Sequence, residues 1–290
     1  MKNKLKRLNL ELSAHCSYTC VGCPNTYMER KKGYMSEELF KNIIDEIDGT
    51  VEEIFLWNYG ESLLNPHISD IIKYSGNKQI KTILSTTGHT LSDREDISFL
   101  TYIDELILSI NGFDDETYLF HQKNGNFEKI KQGLERIMPS LQNSDSSYIL
   151  QTVINSKNID QIKIAKEFAK QFGFKKLLLK SFNVMDNNQS TFDIFVPNQQ
   201  KFSRYGDIKK RRKEEPCLEG MVINWNGDVN PCCWDYEGKI ILGNVKDSGV
   251  FGVWDSQNME KSHNTIKNKE YYPICIDCRA GKIIEEWNIE

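Results

Sequence analysis

Apolar and polar residues alternate through Leu8, Leu10 and Leu12, the period-two signature of a strand. Short apolar runs of this kind return at intervals of about thirty residues through the first two-thirds of the chain. The strand candidates are Leu8–Ser13, Glu53–Trp57, Ile80–Ser85, Glu105–Ile110, Ser147–Ile154 and Lys176–Ser181. Between them lie amphipathic stretches, Ser36–Ile47, Asp115–Ile137 and Asp160–Phe172. In the last, Ile162, Ile164, Ala165, Phe168 and Ala169 keep close to i, i+3, i+4 spacing. Ser36-Glu37-Glu38 and Asp114-Asp115-Glu116 put acids into the first turn, where they complement the helix dipole.

Strand–helix repetition predicts parallel strands joined by right-handed crossovers. Six such units fit between residues 8 and 181, whereas a closed eight-unit barrel takes roughly 250 residues. The expected fold is therefore α/β, a partial (β/α)6 TIM-like barrel. Reactive groups are then expected at the carboxyl ends of its strands. From Asn183 to about Glu215 the periodicity fades into a polar connection, followed by a compact cysteine-rich tail. The expected domains are a barrel over 1–205 and a small auxiliary domain over 206–290.

Composition narrows the partners. A net charge of −4 over 290 residues gives no global field to draw the chain to nucleic acid or anionic lipid. The one basic run, Lys209-Lys210-Arg211-Arg212-Lys213, meets Glu214 and Glu215 at once and reads as a solvated linker. No apolar stretch has the length of a membrane span, and Met1–Leu8 lacks the apolar region of a secretion signal. A cytoplasmic protein with no nucleic-acid or membrane partner is expected. Its eight cysteines are then reduced thiols available as metal ligands. Three fall before residue 25 and five after residue 215, a partition unlike that of scattered core cysteines.

Cys16, Cys20 and Cys23 form C-x3-C-x2-C just after the first strand. Three thiolates on one loop can hold three irons of a [4Fe–4S] cluster and leave the fourth iron open; zinc would want a fourth ligand nearby. Small polar groups follow the next strands: Asn58-Tyr59-Gly60-Glu61-Ser62, Ser85-Thr86-Thr87-Gly88 and Ser109-Ile110-Asn111-Gly112. Taken singly, each reads as turn chemistry. In this order, downstream of the cysteine loop, they form a set.

The set resembles the radical S-adenosylmethionine (SAM) superfamily over essentially the whole chain. The resemblance implies that Cys16, Cys20 and Cys23 ligate a [4Fe–4S] cluster whose open iron takes the amino and carboxylate groups of SAM. Gly60 and Glu61 match the element that receives the SAM ammonium. Ser85, Thr87, Ser109 and Asn111 match polar residues near its carboxylate and ribose. Two positions depart from the family pattern: Gly22 stands where an aromatic usually precedes the third cysteine, and Tyr59 replaces a glycine. Adenine packing would then fall to another aromatic, Tyr18 or Tyr27. The chemistry implied is reductive cleavage of SAM to a 5′-deoxyadenosyl radical that abstracts hydrogen from a C–H bond. An external one-electron donor of flavodoxin or ferredoxin type would feed it.

In the tail, Cys217-x9-Gly227-x4-Cys232 precedes Cys275-x2-Cys278, and Trp225-Asn226-Gly227-Asp228 reads as a hairpin turn. This resembles the first part of the SPASM domain. The further cysteines of the full pattern are missing, which suggests the shortened form that holds a single auxiliary [4Fe–4S] cluster on Cys217, Cys232, Cys275 and Cys278. Four cysteines including a C-x2-C knuckle suit structural zinc equally well. Cys233 is the spare, since Cys232 keeps the spacing. Four protein thiolates leave no open iron, which favours electron transfer.

An acceptor beside a radical site suits a two-electron oxidation. In length and cysteine count the chain resembles the 2-deoxy-scyllo-inosamine dehydrogenase family, which oxidises a secondary alcohol of an aminocyclitol. Lys180, at the end of the sixth strand, is the candidate base, with Gln151 or Asn155 lining the pocket; an exposed lysine at a strand end is the simpler account of Lys180. The five histidines show no ligand pattern, and Trp225, Trp234 and Trp254 read as the core of the small domain. The expected function is radical SAM oxidation of a small polar metabolite. Two alternatives stand: a SPASM-type maturase acting on a precursor peptide, and a non-catalytic iron–sulfur or zinc protein. Because the first strand begins within ten residues of Met1, no N-terminal leader-binding domain is expected, which tilts the choice towards a small molecule.

Overall fold

The computed structural model describes residues 3–142, 144–205, 216–270, 272–275 and 283–289. The basic run at 209–213 and Cys278 lie outside these. Along the chain the elements are β1 (Arg7–Leu10), α1 (Glu37–Ile47), β2 (Glu53–Phe55), α2 (Ile68–Ser75), β3 (Lys81–Thr86), β4 (Glu105–Ser109), α3 (Asp115–His121), α4 (Phe127–Gln142), β5 (Ser147–Ile154), α5 (Ile162–Gln171), β6 (Lys176–Ser181), α6 (Gln189–Phe195), β7 (Gly220–Ile223), β8 (Asp228–Asn230), β9 (Gly243–Asn244), α7 (Val245–Trp254), α8 (Gln257–Lys267) and β10 (Ile283–Asn288). All six expected strands are present and α-helices follow five of them, while β3 reaches β4 through a short 3-10 helix, Ser98–Tyr102, instead; the α/β expectation is borne out.

Local sequence explains the helix starts. Ser36 caps α1 by accepting the Leu39 N–H at 3.2 Å, with Glu37 and Glu38 in the first turn. Asp114 caps α3 through the Thr117 N–H at 2.8 Å, and that bond holds its carboxyl below the usual range. The continuous helix expected over Asp115–Ile137 is instead two, α3 and α4. The break comes at Asn124, with φ +64°, and Gly125, whose missing Cβ would lie 2.5 Å from the Tyr118 ring. Buried Tyr118 takes that space, so packing overrides the helical period.

The chain forms two compact units, each made of three segments. One comprises Met1–His15, Met28–Leu84 and Arg211–Cys278; the other comprises Cys16–Tyr27, Ser85–Lys210 and Arg279–Glu290. In the first unit β1 pairs in parallel with β2 (Leu8↔Ile54) and β2 with β3 (Ile54↔Thr82). The sequence pattern sets the tail apart, yet β7 lies in parallel against the other side of β1 (Leu8↔Met221). β8 and β9 continue antiparallel from β7, joined by the turn read at Asn226-Gly227. Leu8, Leu10, Ile54 and Ile223 are fully buried in this core, each contributing roughly 1.5–3 kcal/mol.

In the second unit β4, β5 and β6 are parallel (Ser109↔Gln151, Gln151↔Leu178), and β10 closes antiparallel on β6 (Glu286↔Leu178). Partners across a ladder share a face, and residues two apart along a strand share it too. Ser109, Gln151, Val153 and Lys180 therefore lie on one face at the carboxyl ends of these strands.

Candidate functional site

The cysteine loop belongs to the second unit and is held by its backbone. Thr19 donates its N–H to the Lys123 carbonyl and Val21 to that of His121, at 3.2 and 3.1 Å. The Cys23 N–H closes a turn onto the Cys20 carbonyl at 3.1 Å, with Gly22 at φ +75°, a left-handed conformation that favours glycine. Cys23 then leads into a short 3-10 helix, Pro24–Thr26. All three cysteines are half-buried and none forms a disulfide. Three thiols on one turn-and-cap loop fit the three-cysteine donor set that a site-differentiated [4Fe–4S] cluster needs.

The position of Gly22 has a compensating neighbour. A Cβ there would lie 3.0 Å from Cζ of Phe182, which is 2% exposed and packs on Phe195 and His121. The apolar ring beside the third cysteine thus comes from the end of β6. Of the two aromatics considered for adenine, Tyr18 is buried, shares a 2.9 Å hydrogen bond with the Tyr118 hydroxyl and packs on His89; Tyr27 is 37% exposed.

Ser85 and Thr87 stand at the end of β3. Thr87 Oγ1 is 3.0 Å from His89 Nδ1, and His89 Nε2 is 2.6 Å from Ser17 Oγ. His89 therefore joins the third-strand residues to the cysteine loop, a role its isolated place in the sequence did not signal. Ser109 Oγ is 3.5 Å from Gln151 Nε2. Asn111 is buried, its side-chain oxygen accepting the Val153 N–H at 2.7 Å and its carbonyl accepting from Asn158 Nδ2 at 3.0 Å. It pins β4 to β5. Lys180 is half-buried on the same face as Ser109 and Gln151, while Asn155 is fully buried and its side-chain oxygen accepts the N–H groups of Lys157 and Asn158.

Gly60 and Glu61 lie in the first unit. A Cβ on Gly60 would sit 1.9 Å from the Ser13 carbonyl oxygen, so only glycine allows this approach of two backbones. The Glu61 N–H donates to the His15 carbonyl at 2.8 Å. Its carboxylate, 2% exposed, accepts the Leu63 N–H at 3.2 Å and caps the short helix Ser62–Leu64. One carboxylate oxygen is thereby oriented. Tyr59, the other departure, packs edge-on against Tyr236 at 5.8 Å.

The tail thiols converge in the same unit. Burial pushes the Cys232 thiol well above its usual range; Cys233, Cys217 and Cys275 push it further, against a bond from the Trp234 N–H. Groups that affect one another this way are spatial neighbours although 58 residues separate Cys217 from Cys275 (275 − 217). Crowded, partly desolvated thiols resist ionising alone, and a bound metal centre reverses that cost. The donor set therefore fits a thiolate-held metal or cluster. Cys232 is half-buried and Cys233 exposed; Cys278 lies outside the described residues. Asp235 shapes this segment by accepting the N–H groups of Lys239 and Ile240 at 2.9 and 2.7 Å. Buried His263 hydrogen-bonds the backbone of Cys217, and burial holds its pKa down.

Sequence reading missed Glu11 and Arg30. Glu11 alternates with Leu10 and Leu12 as a solvent-facing residue would, yet it is 0% exposed and forked by the Arg30 guanidinium. Glu11 follows the end of β1, and its alternation with leucines carries no sign of this burial.

A sequence profile of the Radical SAM superfamily matches residues 10–169, and one of an iron–sulfur cluster-binding domain, SPASM, matches 217–279. An AdoMet-dependent heme synthase of Methanosarcina barkeri is 28% identical, over 97% of this chain and 93% of that protein. Mycofactocin maturase MftC of Mycobacterium tuberculosis is 23% identical over 87% of this chain and 71% of its own length. The crystal structure of BtrN in complex with AdoMet and 2-DOIA has the same fold: TM-score 0.63, 15% identity, and coverage of 98% of this chain and 97% of that one. Among the described residues no helix is long and apolar enough to cross a membrane.

Proposed function

The chain belongs to the radical SAM superfamily and carries a SPASM iron–sulfur domain, and from that premise we propose that it oxidises a small polar molecule by two electrons. Its cofactors are SAM and two [4Fe–4S] clusters. When bound, the first cluster and SAM supply the 5′-deoxyadenosyl radical that removes hydrogen from a C–H bond.

The residues divide the remaining work. Cys16, Cys20 and Cys23 would hold the SAM-binding cluster, and Cys217, Cys232, Cys275 and Cys278 the auxiliary one. Cys232 is chosen over Cys233 because it is the less exposed of the two. Glu61 would accept from the SAM ammonium, with Gly60 giving close approach. Ser85, Thr87, Ser109 and Asn111 would orient the carboxylate and ribose. Lys180, on the face that carries Ser109 and Gln151, would take the proton released as the substrate is oxidised. The barrel would end near residue 205, and a flavodoxin- or ferredoxin-type donor would supply electrons in a reducing cytoplasm.

The observation that carries an oxidation is the gathering of the tail thiols about Cys232. A site closed by protein ligands accepts electrons rather than substrate. Similarity to a heme synthase along nearly the whole chain supports a small organic substrate; similarity to mycofactocin maturase supports the second reading, a precursor peptide.

The test is anaerobic reconstitution followed by dithionite and SAM, with 5′-deoxyadenosine measured against Cys16→Ala. Deoxyadenosine in wild type, absent from the variant, supports the reading. Zinc in place of iron, or no deoxyadenosine from fully iron-loaded protein offered aminocyclitols, tetrapyrroles and peptides, rejects it. Lys180→Ala should leave deoxyadenosine formation intact and slow product formation by about 100-fold or more.

A further inference from the structure

Three stretches of the first unit meet at one buried ion pair. The Glu11 carboxylate is bonded by both terminal nitrogens of Arg30, one at 2.9 Å, and also receives Asn58 Nδ2 and the Trp225 N–H, each at 3.5 Å. Arg30 Nε donates to the Tyr236 carbonyl, and the Glu237 carboxylate accepts the N–H groups of Glu29 and Arg30 at 3.1–3.2 Å. The Arg30 side chain is 12% exposed. Asn58 leads directly into Tyr59-Gly60-Glu61, and Tyr236 and Glu237 follow Cys232 by four and five residues. Tyr59 packs on Tyr236, and the Trp225 ring lies against Gly33, where any Cβ would come within 2.5 Å of it.

We propose that Arg30 is a positioning residue that couples the segment after Cys232 to the Asn58–Glu61 element, so that filling the auxiliary site strengthens SAM binding and SAM binding tightens the auxiliary site. This rests on the function proposed above. The physical argument is linkage. A buried guanidinium fork has five donors in a fixed plane, so it cannot serve Glu11 and the Tyr236 carbonyl together unless both backbones keep register. Assembling a cluster on Cys232 fixes the 232–237 segment. The fork then transmits that order to Glu11, and Glu11 to Asn58. Tyr59 against Tyr236 adds a second, apolar strut. Coupling must be reciprocal, because the same two arrangements are biased from either end.

Lysine at position 30 keeps the charge beside Glu11 but cannot hold both partners, so Arg30→Lys is the informative variant. It also avoids leaving the Glu11 carboxylate buried without a cation, which would threaten folding. SAM affinity is measured by equilibrium dialysis of reconstituted protein in four forms: wild type, Arg30→Lys, Cys217→Ala/Cys232→Ala, and the combination, with circular dichroism confirming fold. The expected result is a roughly tenfold weaker SAM affinity in Arg30→Lys and in the double-cysteine variant alike, with little further loss on combining them. In wild type SAM should also change the electron paramagnetic resonance spectrum of the reduced auxiliary cluster, and in Arg30→Lys it should not. Unchanged affinity in Arg30→Lys, or losses that simply multiply, overturns the coupling. Failure of wild type to bind SAM overturns the underlying functional reading instead. If Arg30→Lys does not fold, Tyr236→Leu, which removes only the apolar strut, must give the same non-additive pattern in part or the proposal fails.

Discussion

The two groups of cysteines solve one problem in opposite ways. Cys16, Cys20 and Cys23 occupy one short loop whose turn is closed by its own backbone, Cys23 onto Cys20. The tail thiols come from separated segments, in a unit where β7 pairs with β1 and the 232–240 segment is folded around Asp235. The loop offers three thiols within eight residues of chain, whereas the tail gathers its thiols from segments up to 58 residues apart (275 − 217). The function proposed above divides along the same line, with ligand binding at the loop and electron transfer at the tail.

The comparison breaks most visibly at the loop. Cys16→Ala should abolish deoxyadenosine formation and lower iron from about eight to about four per chain, leaving the auxiliary cluster's resonance in place. Loss of all iron would show that the two groups are not independent sites. Next in size, Cys232→Ala should remove the auxiliary signal while Cys233→Ala keeps it. The reverse result would move the ligand to the exposed cysteine.

Gly60→Ala tests whether the first unit depends on the close backbone approach of Gly60 to Ser13 and Ala14. A Cβ 1.9 Å from the Ser13 oxygen cannot be relieved by a side-chain rotation. Denaturation should report a loss of about 3–4 kcal/mol, with SAM binding abolished. Wild-type stability in this variant would disprove the contact.

The smallest effect distinguishes the two regions by pH. His121, whose carbonyl holds the Val21 N–H, is buried, and burial lowers its pKa from 6.5 to about 4. The native state keeps it neutral while the unfolded chain takes up a proton below 6.5. Stability is therefore lost as pH falls from 6.5 towards 4 and changes no further from this group below that. The loss is about 1.4 kcal/mol by pH 5.5 and about 3 kcal/mol at most. Urea denaturation of the anaerobic holoprotein should show this slope, and His121→Leu should flatten it.

Much of the barrel was legible because its signals are local. Ser36 and Asp114 cap the helices they were expected to start, and the strand runs pair in parallel as their repetition with helices predicts. The break between α3 and α4 was not legible, because Tyr118 competes for space at Gly125 and no periodicity records that. Nor was the burial of Glu11, whose alternation with leucines looks the same whether its face meets water or the tail. Phe182 beside Gly22 is a compensation between positions 160 residues apart (182 − 22), invisible to any motif.

By itself the sequence determined the three-thiol loop, the order of the strand-end polar groups and the strand–helix rhythm. Each depends on residues within a few bonds or one helical turn, where backbone geometry leaves little freedom. Tertiary structure alone decided that the tail thiols meet around Cys232, that Glu11 is neutralised by Arg30, and that Ser109, Gln151 and Lys180 share a face. Those pairings depend on which distant segments exclude water together, and burial is a property of the assembled chain rather than of any stretch of it.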